Sequence, residues 1–265
     1  MRANRLRAIW QMGQAALNGW LQIPDAFSAE VMANQGWDSL TIDMQHGPVD
    51  YADALAMLQA ISTTETVPLV RVPWNEPGVI MKMLDAGCYG IICPMVNSRA
   101  EAEAFVGACR YAPLGYRSYG PNRAVYYGGP DYAEQANETV ITMAMIETAQ
   151  ALENLDDILS APGLDAIYIG PADLSLSLGS PERSDPTEPG VVAAIDRILA
   201  AAKEHGIVAG IHTGQPAYAR QMIAKGFQFV SIQSDSRLMA KAAGDVIAAM
   251  KGGSGRQESE EEGLY

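Results

Sequence analysis

Short apolar runs alternate with Ala-rich amphipathic stretches along most of the chain. Eight runs, at residues 16–22, 39–43, 67–72, 90–95, 139–147, 164–170, 207–212 and 227–233, are rich in β-branched and apolar residues and predict buried strands. Between them, residues 51–61, 79–85, 98–110, 152–159, 191–205 and 217–224 carry apolar positions at helical spacing. Glycines at 87, 206 and 226 stand just before the next apolar run, where a helix C-cap belongs. Strand–helix repetition of this kind builds a parallel sheet through right-handed crossovers. Eight repeats predict a closed α/β barrel, the (β/α)8 TIM-barrel fold, as one domain over residues 1–251. A G-x-G-x-x-G after the first run would favour an open doubly wound sheet, and none is there. Two connections, 110–132 and 179–190, are long and rich in Gly and Pro, the pattern of functional loops on an active rim.

Composition narrows the reading. The 265 residues suit a single barrel, and 48% hydrophobic content suffices for its core. A net charge of −13, with only 18 Lys and Arg, argues against a nucleic-acid partner. Part of that charge is local: Glu258, Glu260, Glu261 and Glu262 lie in a Gly/Ser-rich stretch, expected to be a flexible acidic tail over 252–265. Cys88, Cys93 and Cys109 form no C-x-x-C pair and read as reduced core thiols of a cytoplasmic protein. Arg2, Arg5 and Arg7 precede no apolar targeting segment, and no run approaches a membrane span.

In a barrel the C-terminal strand ends form the active face. The ends of the predicted strands carry Asp43 with His46, Arg71, Glu147 and Asp173. Asp43 lies three residues before His46, close enough to orient the imidazole and raise its basicity as a general base. Arg71 ends a buried apolar run and reads as an anion-stabilising cation, or else as a salt bridge to Asp43 or Glu147. Glu147 and Asp173 follow consecutive strands and offer the oxygen ligands that Mg²⁺ or Mn²⁺ prefer. Gly170-Pro171-Ala172-Asp173 looks like a helix start whose amides suit a substrate carboxylate. His212 also ends a strand, with no acid close in sequence, and reads as supporting or structural, while His205 suits a helix C-terminus. The methionines at 81, 83, 143 and 145 read as core filler. No lysine falls on a predicted strand, which disfavours Schiff-base catalysis and leaves carbonyl polarisation to a metal.

At these residues the chain resembles the HpcH/HpaI aldolase family of metal-dependent class II pyruvate aldolases. The resemblance is carried by Asp43-Met44-Gln45-His46-Gly47, Pro68-Leu69-Val70-Arg71-Val72-Pro73, Leu84-Asp85-Ala86-Gly87, Met145-Ile146-Glu147-Thr148 and Tyr168-Ile169-Gly170-Pro171-Ala172-Asp173. It implies metal ligation by Glu147 and Asp173, a base at His46 supported by Asp43 and Asp85, and enolate stabilisation by Arg71. It implies a divalent cofactor (Mg²⁺, Mn²⁺ or Co²⁺), a pyruvate or hydroxypyruvate donor, an aldehyde acceptor, and a homo-hexamer, a trimer of dimers that exchange their C-terminal helix. Several members carry Gln where this chain has Met145. An oxaloacetate-type decarboxylase or a citryl/malyl-CoA-type lyase is the alternative. Arg117 and Arg123 are the basic residues considered for a CoA substrate on the rim. A non-catalytic barrel would give these side chains no reason to share one rim.

Overall fold

The computed structural model describes residues 1–252, and the acidic tail beyond Gly252 lies outside the described residues. Helix α1 (Arg5–Gln11) precedes β1 (Ala16–Leu21), α2 (Ala26–Ala33), β2 (Ser39–Asp43), α3 (Tyr51–Ile61) and β3 (Val67–Arg71). Then come α4 (Pro77–Asp85), β4 (Gly90–Cys93), α5 (Arg99–Cys109), α6 (Ala124–Gly128), α7 (Tyr132–Thr139) and β5 (Ile141–Met145). After them follow α8 (Ala149–Glu153), α9 (Leu155–Leu159), β6 (Ala166–Ile169), α10 (Pro171–Ser177) and α11 (Pro189–Glu204). The chain ends with β7 (Val208–Thr213), α12 (Pro216–Lys225), β8 (Phe229–Ile232) and α13 (Asp235–Met250).

All eight strands pair in parallel and in chain order, and β8 closes on β1 to complete the barrel. The pleat sends alternate side chains to opposite faces, which divides the core in two. Leu40, Ile42, Val70, Ile91, Ile167, Ile211 and Val230 face outward and pack under the helices. Trp20, Leu69, Ile92, Met143, Met145, Tyr168 and Phe229 fill the barrel interior. Helix α1 plugs the N-terminal end: Leu6 and Trp10 join the interior cluster, and Trp10 Nε1 donates to the Gln228 carbonyl at 2.9 Å. Helix α12 stops at Gly226, whose φ of 114° is one that few other residues adopt without strain. The segment expected as one helix over 152–159 is two short helices meeting at Asn154.

The connection over 110–132 is not a rim loop. It joins a helix, α5, to the next strand, so topology returns it to the N-terminal end of the barrel, where it folds into α6 and α7. The stretch 179–190 follows β6 and α10 and does reach the C-terminal rim. The three cysteines are free and buried. No helix among the described residues is long and apolar enough to cross a membrane.

Candidate active site at the C-terminal rim

The β2–β3 register sets Asp43 directly beside Arg71. Arg71 Nε and Nη2 reach Asp43 Oδ1 and Oδ2 at 2.9 and 2.7 Å, a bidentate pair with Asp43 fully buried. Trp20 Nε1 and Gln22 Nε2 also donate to Asp43 Oδ2, each at 3.1 Å. Burial by itself would raise the Asp43 carboxyl, but the Arg71 charge and these donors outweigh it and hold it well below the usual carboxylate range. The guanidinium carbon of Arg71 sits 4.8 Å from the Trp20 ring centroid, and Trp20 in turn stacks on Tyr168 at 5.7 Å. Arg71 is therefore fixed on two sides, while its remaining N–H groups border the cleft.

Glu147 lies two residues past the end of β5 and is 2% exposed. Its Oε1 accepts the Met95 N–H at 2.8 Å. Met95 holds a φ of 55°, a strained backbone for a long side chain. A Cβ at Gly170 would collide with Glu147 Oε2, so the close approach of the β6 exit requires glycine there. Burial, together with the like charge of Asp173, pushes the Glu147 carboxyl up to about 7 against the Met95 hydrogen bond. Asp173 stands in the first turn of α10, where Gly170 provides no capping side chain. Two neighbouring carboxylates that resist sharing their charge form a donor set for a hard divalent cation. Among the described residues no group of three or more His, Cys, Asp and Glu side chains forms a closed cage. A cation held by Glu147 and Asp173 would keep positions for water and substrate oxygens, as Mg²⁺-type sites do.

His46 is exposed and lines the same cleft, and its backbone N–H donates to Asp43 Oδ1 at 3.3 Å. His212 lines it too, with Nδ1 3.1 Å from Tyr168 Oη and its ring edge-on to Trp20 at 5.3 Å. Burial and the Arg71 charge lower its pKa to about 4, so this imidazole is neutral at physiological pH. The cleft encloses ≈ 650 Å³, part of it open to solvent. His46, Arg71, Gly170, Pro171, Ala172 and Asp173 line it, with Met145 forming an apolar wall.

Asp85 does not join them. It ends α4 at the N-terminal end of the barrel, where Arg117 Nη2 donates to its Oδ1 at 2.7 Å. The two basic residues considered for the rim are there as well: Arg117 is buried beside Asp85, and Arg123 donates to the Ala86 and Leu58 carbonyls. The sequence reading gave no role to Trp20, Tyr168, Ser184, Ser234 and Arg237, all of which line the cleft. Trp20 and Tyr168 stand two residues before the strand-end positions Gln22 and Gly170, so pleat parity carried a signal for both.

A closed parallel barrel with an acid–Arg pair, a histidine and two carboxylates at its C-terminal rim defines a class of barrel enzymes with a polar, charge-stabilising site. Within that class, the model of the HpcH/HpaI aldolase/citrate lyase family matches residues 18–242, and the chain belongs to that family. It is 46% identical over 245 residues to a hydroxypyruvate/pyruvate aldolase of Rhizorhabdus wittichii, covering 92% of this chain and 98% of the relative. It is 36% identical over 254 residues to a 4-hydroxy-2-oxo-heptane-1,7-dioate aldolase of Shigella flexneri, covering 95% and 94%. A crystal structure of an HpcH/HpaI aldolase/citrate lyase family protein from Burkholderia cenocepacia superposes with a TM-score of 0.87 at 30% identity, over 94% of this chain and all of that one. The chain is a lyase of the aldolase type.

Proposed function

We propose that the enzyme makes and cleaves 4-hydroxy-2-oxo acids, joining pyruvate or hydroxypyruvate to an aldehyde through an enolate. The observation that carries this reading is the placement of Arg71 and Asp173 in one cleft, with the buried Glu147 close enough to feel the charges of both. The names of the relatives, hydroxypyruvate/pyruvate aldolase and 4-hydroxy-2-oxo-heptane-1,7-dioate aldolase, support the donor. Glu147 and Asp173 would hold a divalent cation, Mg²⁺, Mn²⁺ or Co²⁺, which when bound polarises the donor carbonyl as a Lewis acid. Arg71, locked by Asp43 and Trp20, offers its remaining N–H groups to the oxygen on which enolate charge develops. His46 removes the C3 proton and returns one in the cleavage direction. The amides of Ala172 and Asp173, at the start of α10, face the donor carboxylate. Asp43 serves His46 through the backbone N–H and serves Arg71 directly, which makes it a positioning residue. Met145 replaces a polar contact with an apolar wall.

In its own chain Asp85 is at the wrong end of the barrel to support His46, so that role requires a neighbouring copy. A hexamer made of three dimers with exchanged C-terminal helices would provide neighbours, and α13 suits exchange: Met239, Val246, Ile247 and Met250 are all exposed. The buried free thiols fit a reducing cytoplasm. A CoA thioester substrate loses support because Arg117 and Arg123 lie far from the cleft. Decarboxylation of oxaloacetate passes through the same enolate and is expected as a side activity.

Deuterium exchange into the C3 position of pyruvate, with no aldehyde present, tests the reading. Exchange should stop with EDTA and return with Mn²⁺, Co²⁺ or Mg²⁺. Borohydride with pyruvate should leave the enzyme active; covalent trapping of pyruvate on a lysine would overturn the proposal.

A further inference from the structure

His212 lines the cleft and takes no part in metal binding, enolate stabilisation or removal of the C3 proton. Its Nδ1 lies 3.1 Å from Tyr168 Oη, and the direction of that hydrogen bond decides which ring nitrogen carries the proton.

The Tyr168 hydroxyl is oriented from deeper in the barrel. Asn18 on β1, Ser39 and Thr41 on β2, and Ser231 on β8 are fully buried polar side chains. The strand register sets Asn18 beside Ser39 and Ser231, and Ser231 beside His212. Buried polar groups need partners, and here the partners have a direction. Ser39 Oγ and Thr41 Oγ1 donate to Asn18 Oδ1 at 2.8 and 3.0 Å, which fixes the amide. Asn18 Nδ2 then donates to Ser231 Oγ at 2.9 Å, and Ser231 in turn hydrogen-bonds Tyr168. Burial holds the Tyr168 phenol far above its usual range, so it keeps its proton. With Ser231 donating to Oη, the Tyr168 O–H is left for His212 Nδ1. Nδ1 is therefore the acceptor, and the one proton of the neutral ring sits on Nε2.

Among the described residues Nε2 has no hydrogen-bond partner, and the ring borders the cleft. Trp20 meets the ring edge-on at 5.3 Å and holds its plane. Burial and the Arg71 charge keep a second proton off it at physiological pH. The cleft thus receives a fixed, uncharged N–H donor. Arg71 and the amides at the start of α10 already serve the oxygens of the 2-oxo acid. The aldehyde oxygen is left, and negative charge grows on it as the carbon–carbon bond forms. A neutral imidazole N–H polarises a carbonyl of that kind.

We propose that His212 is a catalytic residue whose Nε2–H donates a hydrogen bond to the aldehyde oxygen, its tautomer set by the chain from Asn18 through Ser231 and Tyr168. The inference rests on the aldolase reading and adds the group that handles the acceptor. In the joining step the enolate electron pair forms the new carbon–carbon bond, and the aldehyde π pair moves onto oxygen. That oxygen then takes the proton that His46 drew from C3, while His212 keeps its own. Tyr168 acts through His212 and is a positioning residue.

The test uses the full-length enzyme with Mg²⁺, pyruvate and propanal, an acceptor whose single oxygen is the reacting one. His212→Phe should lower kcat/KM for propanal by about ten- to a hundredfold, the worth of one hydrogen bond to a developing charge. Deuterium exchange into pyruvate, which involves no aldehyde, should stay close to that of the unaltered enzyme. His212→Gln, whose terminal amide can donate from a similar reach, should recover part of the propanal rate. The chain has three histidines, so ¹⁵N-histidine spectra assigned with His212→Phe can place the proton. Nε2 of His212 should carry it in the unaltered enzyme, and Tyr168→Phe should spread it over both nitrogens and slow the propanal reaction alone. Equal losses of exchange and aldol reaction in His212→Phe, no loss of either, or a proton on Nδ1 would overturn the proposal. Absence of exchange in the unaltered enzyme would instead sink the aldolase reading and the aldehyde role with it, whereas the nitrogen signals alone decide the tautomer.

Discussion

Each end of the barrel carries a buried arginine paired with an aspartate, and the two pairs do different work. At the N-terminal end Arg110 gives hydrogen bonds to Asp165 at 2.8 Å, the Val140 carbonyl at 3.0 Å and the Gly163 carbonyl at 3.2 Å. Asp165 is held further by Arg7 and by the Thr142 amide, both at 2.9 Å. Those groups all end on protein, and the cluster fastens α1, α5, β5 and β6 together. At the C-terminal end Arg71 commits two N–H groups to Asp43 and its face to Trp20, then stops, with the rest of the guanidinium bordering a cleft. A buried ion pair whose arginine also grips two carbonyls of the fold is a fastener. One with donors held in reserve, beside two carboxylates, is equipped to receive substrate charge.

The largest break in this comparison is metal removal. Chelation should abolish pyruvate exchange and aldol cleavage while leaving the Arg110–Asp165 end folded, so far-UV circular dichroism should persist when turnover is gone. Asp173→Ala should reproduce the loss and also abolish Mn²⁺ binding. Next in size is His46→Ala, which should slow pyruvate exchange and cleavage by about 10²–10⁴-fold, the usual contribution of an oriented general base. Wild-type exchange with impaired cleavage would move His46 from the donor proton to the aldehyde oxygen.

Arg71→Lys sharpens the contrast directly. It keeps one charge against Asp43 but loses the fork, and turnover should fall about 10²–10³-fold, as when one oxyanion donor is removed. Arg71→Ala is the poorer test, because it strands a buried Asp43 and lowers stability together with activity. Arg110→Met should do the reverse of Arg71→Lys. It should lower unfolding stability by about 1–3 kcal/mol, the cost of lost charge-assisted hydrogen bonds while Arg7 still pairs with Asp165, with unchanged turnover per folded molecule. Equal activity losses from the two substitutions would erase the distinction between the ends.

The sequence showed which residues are strands better than it showed which end they serve. All eight expected strands exist, because each is an apolar run stopped by glycine, by proline or by a polar strand end. The 139–147 run is shortened to Ile141–Met145 because Thr139 closes α7 and Glu147 turns out to the rim. Helix α1 escaped notice: seven residues are too few to display a period, and only contact with Phe229 and Gln228 gives Trp10 its meaning. Asp85 shows what one chain alone does not display. It precedes Gly87, the same stop signal that marks the end of a helix, and a helix ends at the N-terminal face of a barrel. The local signal therefore sets it far from His46 of its own chain, and the pairing that the family motif implies would need a neighbouring copy. Arg237 left no trace in the pattern, since an exposed arginine in a first helical turn looks like any other until the β8 exit aims it over the cleft.

The smallest expected effect separates His212 from the titrating groups around it. The folded protein resists protonating this imidazole until about pH 4, whereas an unperturbed histidine takes its proton at 6.5. Stability from His212 is therefore complete above pH 6.5, falls as pH drops from 6.5 to 4, and levels off below, where both states carry the proton. Glu147 acts in the opposite sense in metal-free protein: its folded carboxyl binds a proton near 7, before the unfolded chain does near 4.5, so acidification through that window favours the folded state. The two contributions partly cancel in the unaltered enzyme, and a simple pH scan would show little. His212→Phe keeps an aromatic edge against Trp20 and removes the titration. In EDTA, the difference in unfolding free energy between the unaltered enzyme and His212→Phe should be constant above pH 6.5. It should shift against the unaltered enzyme by on the order of 1–3 kcal/mol between pH 6.5 and 4. A difference that stays flat across that window would mean that His212 takes up its proton as readily in the folded protein as in the unfolded chain, so that burial and Arg71 do not keep it neutral.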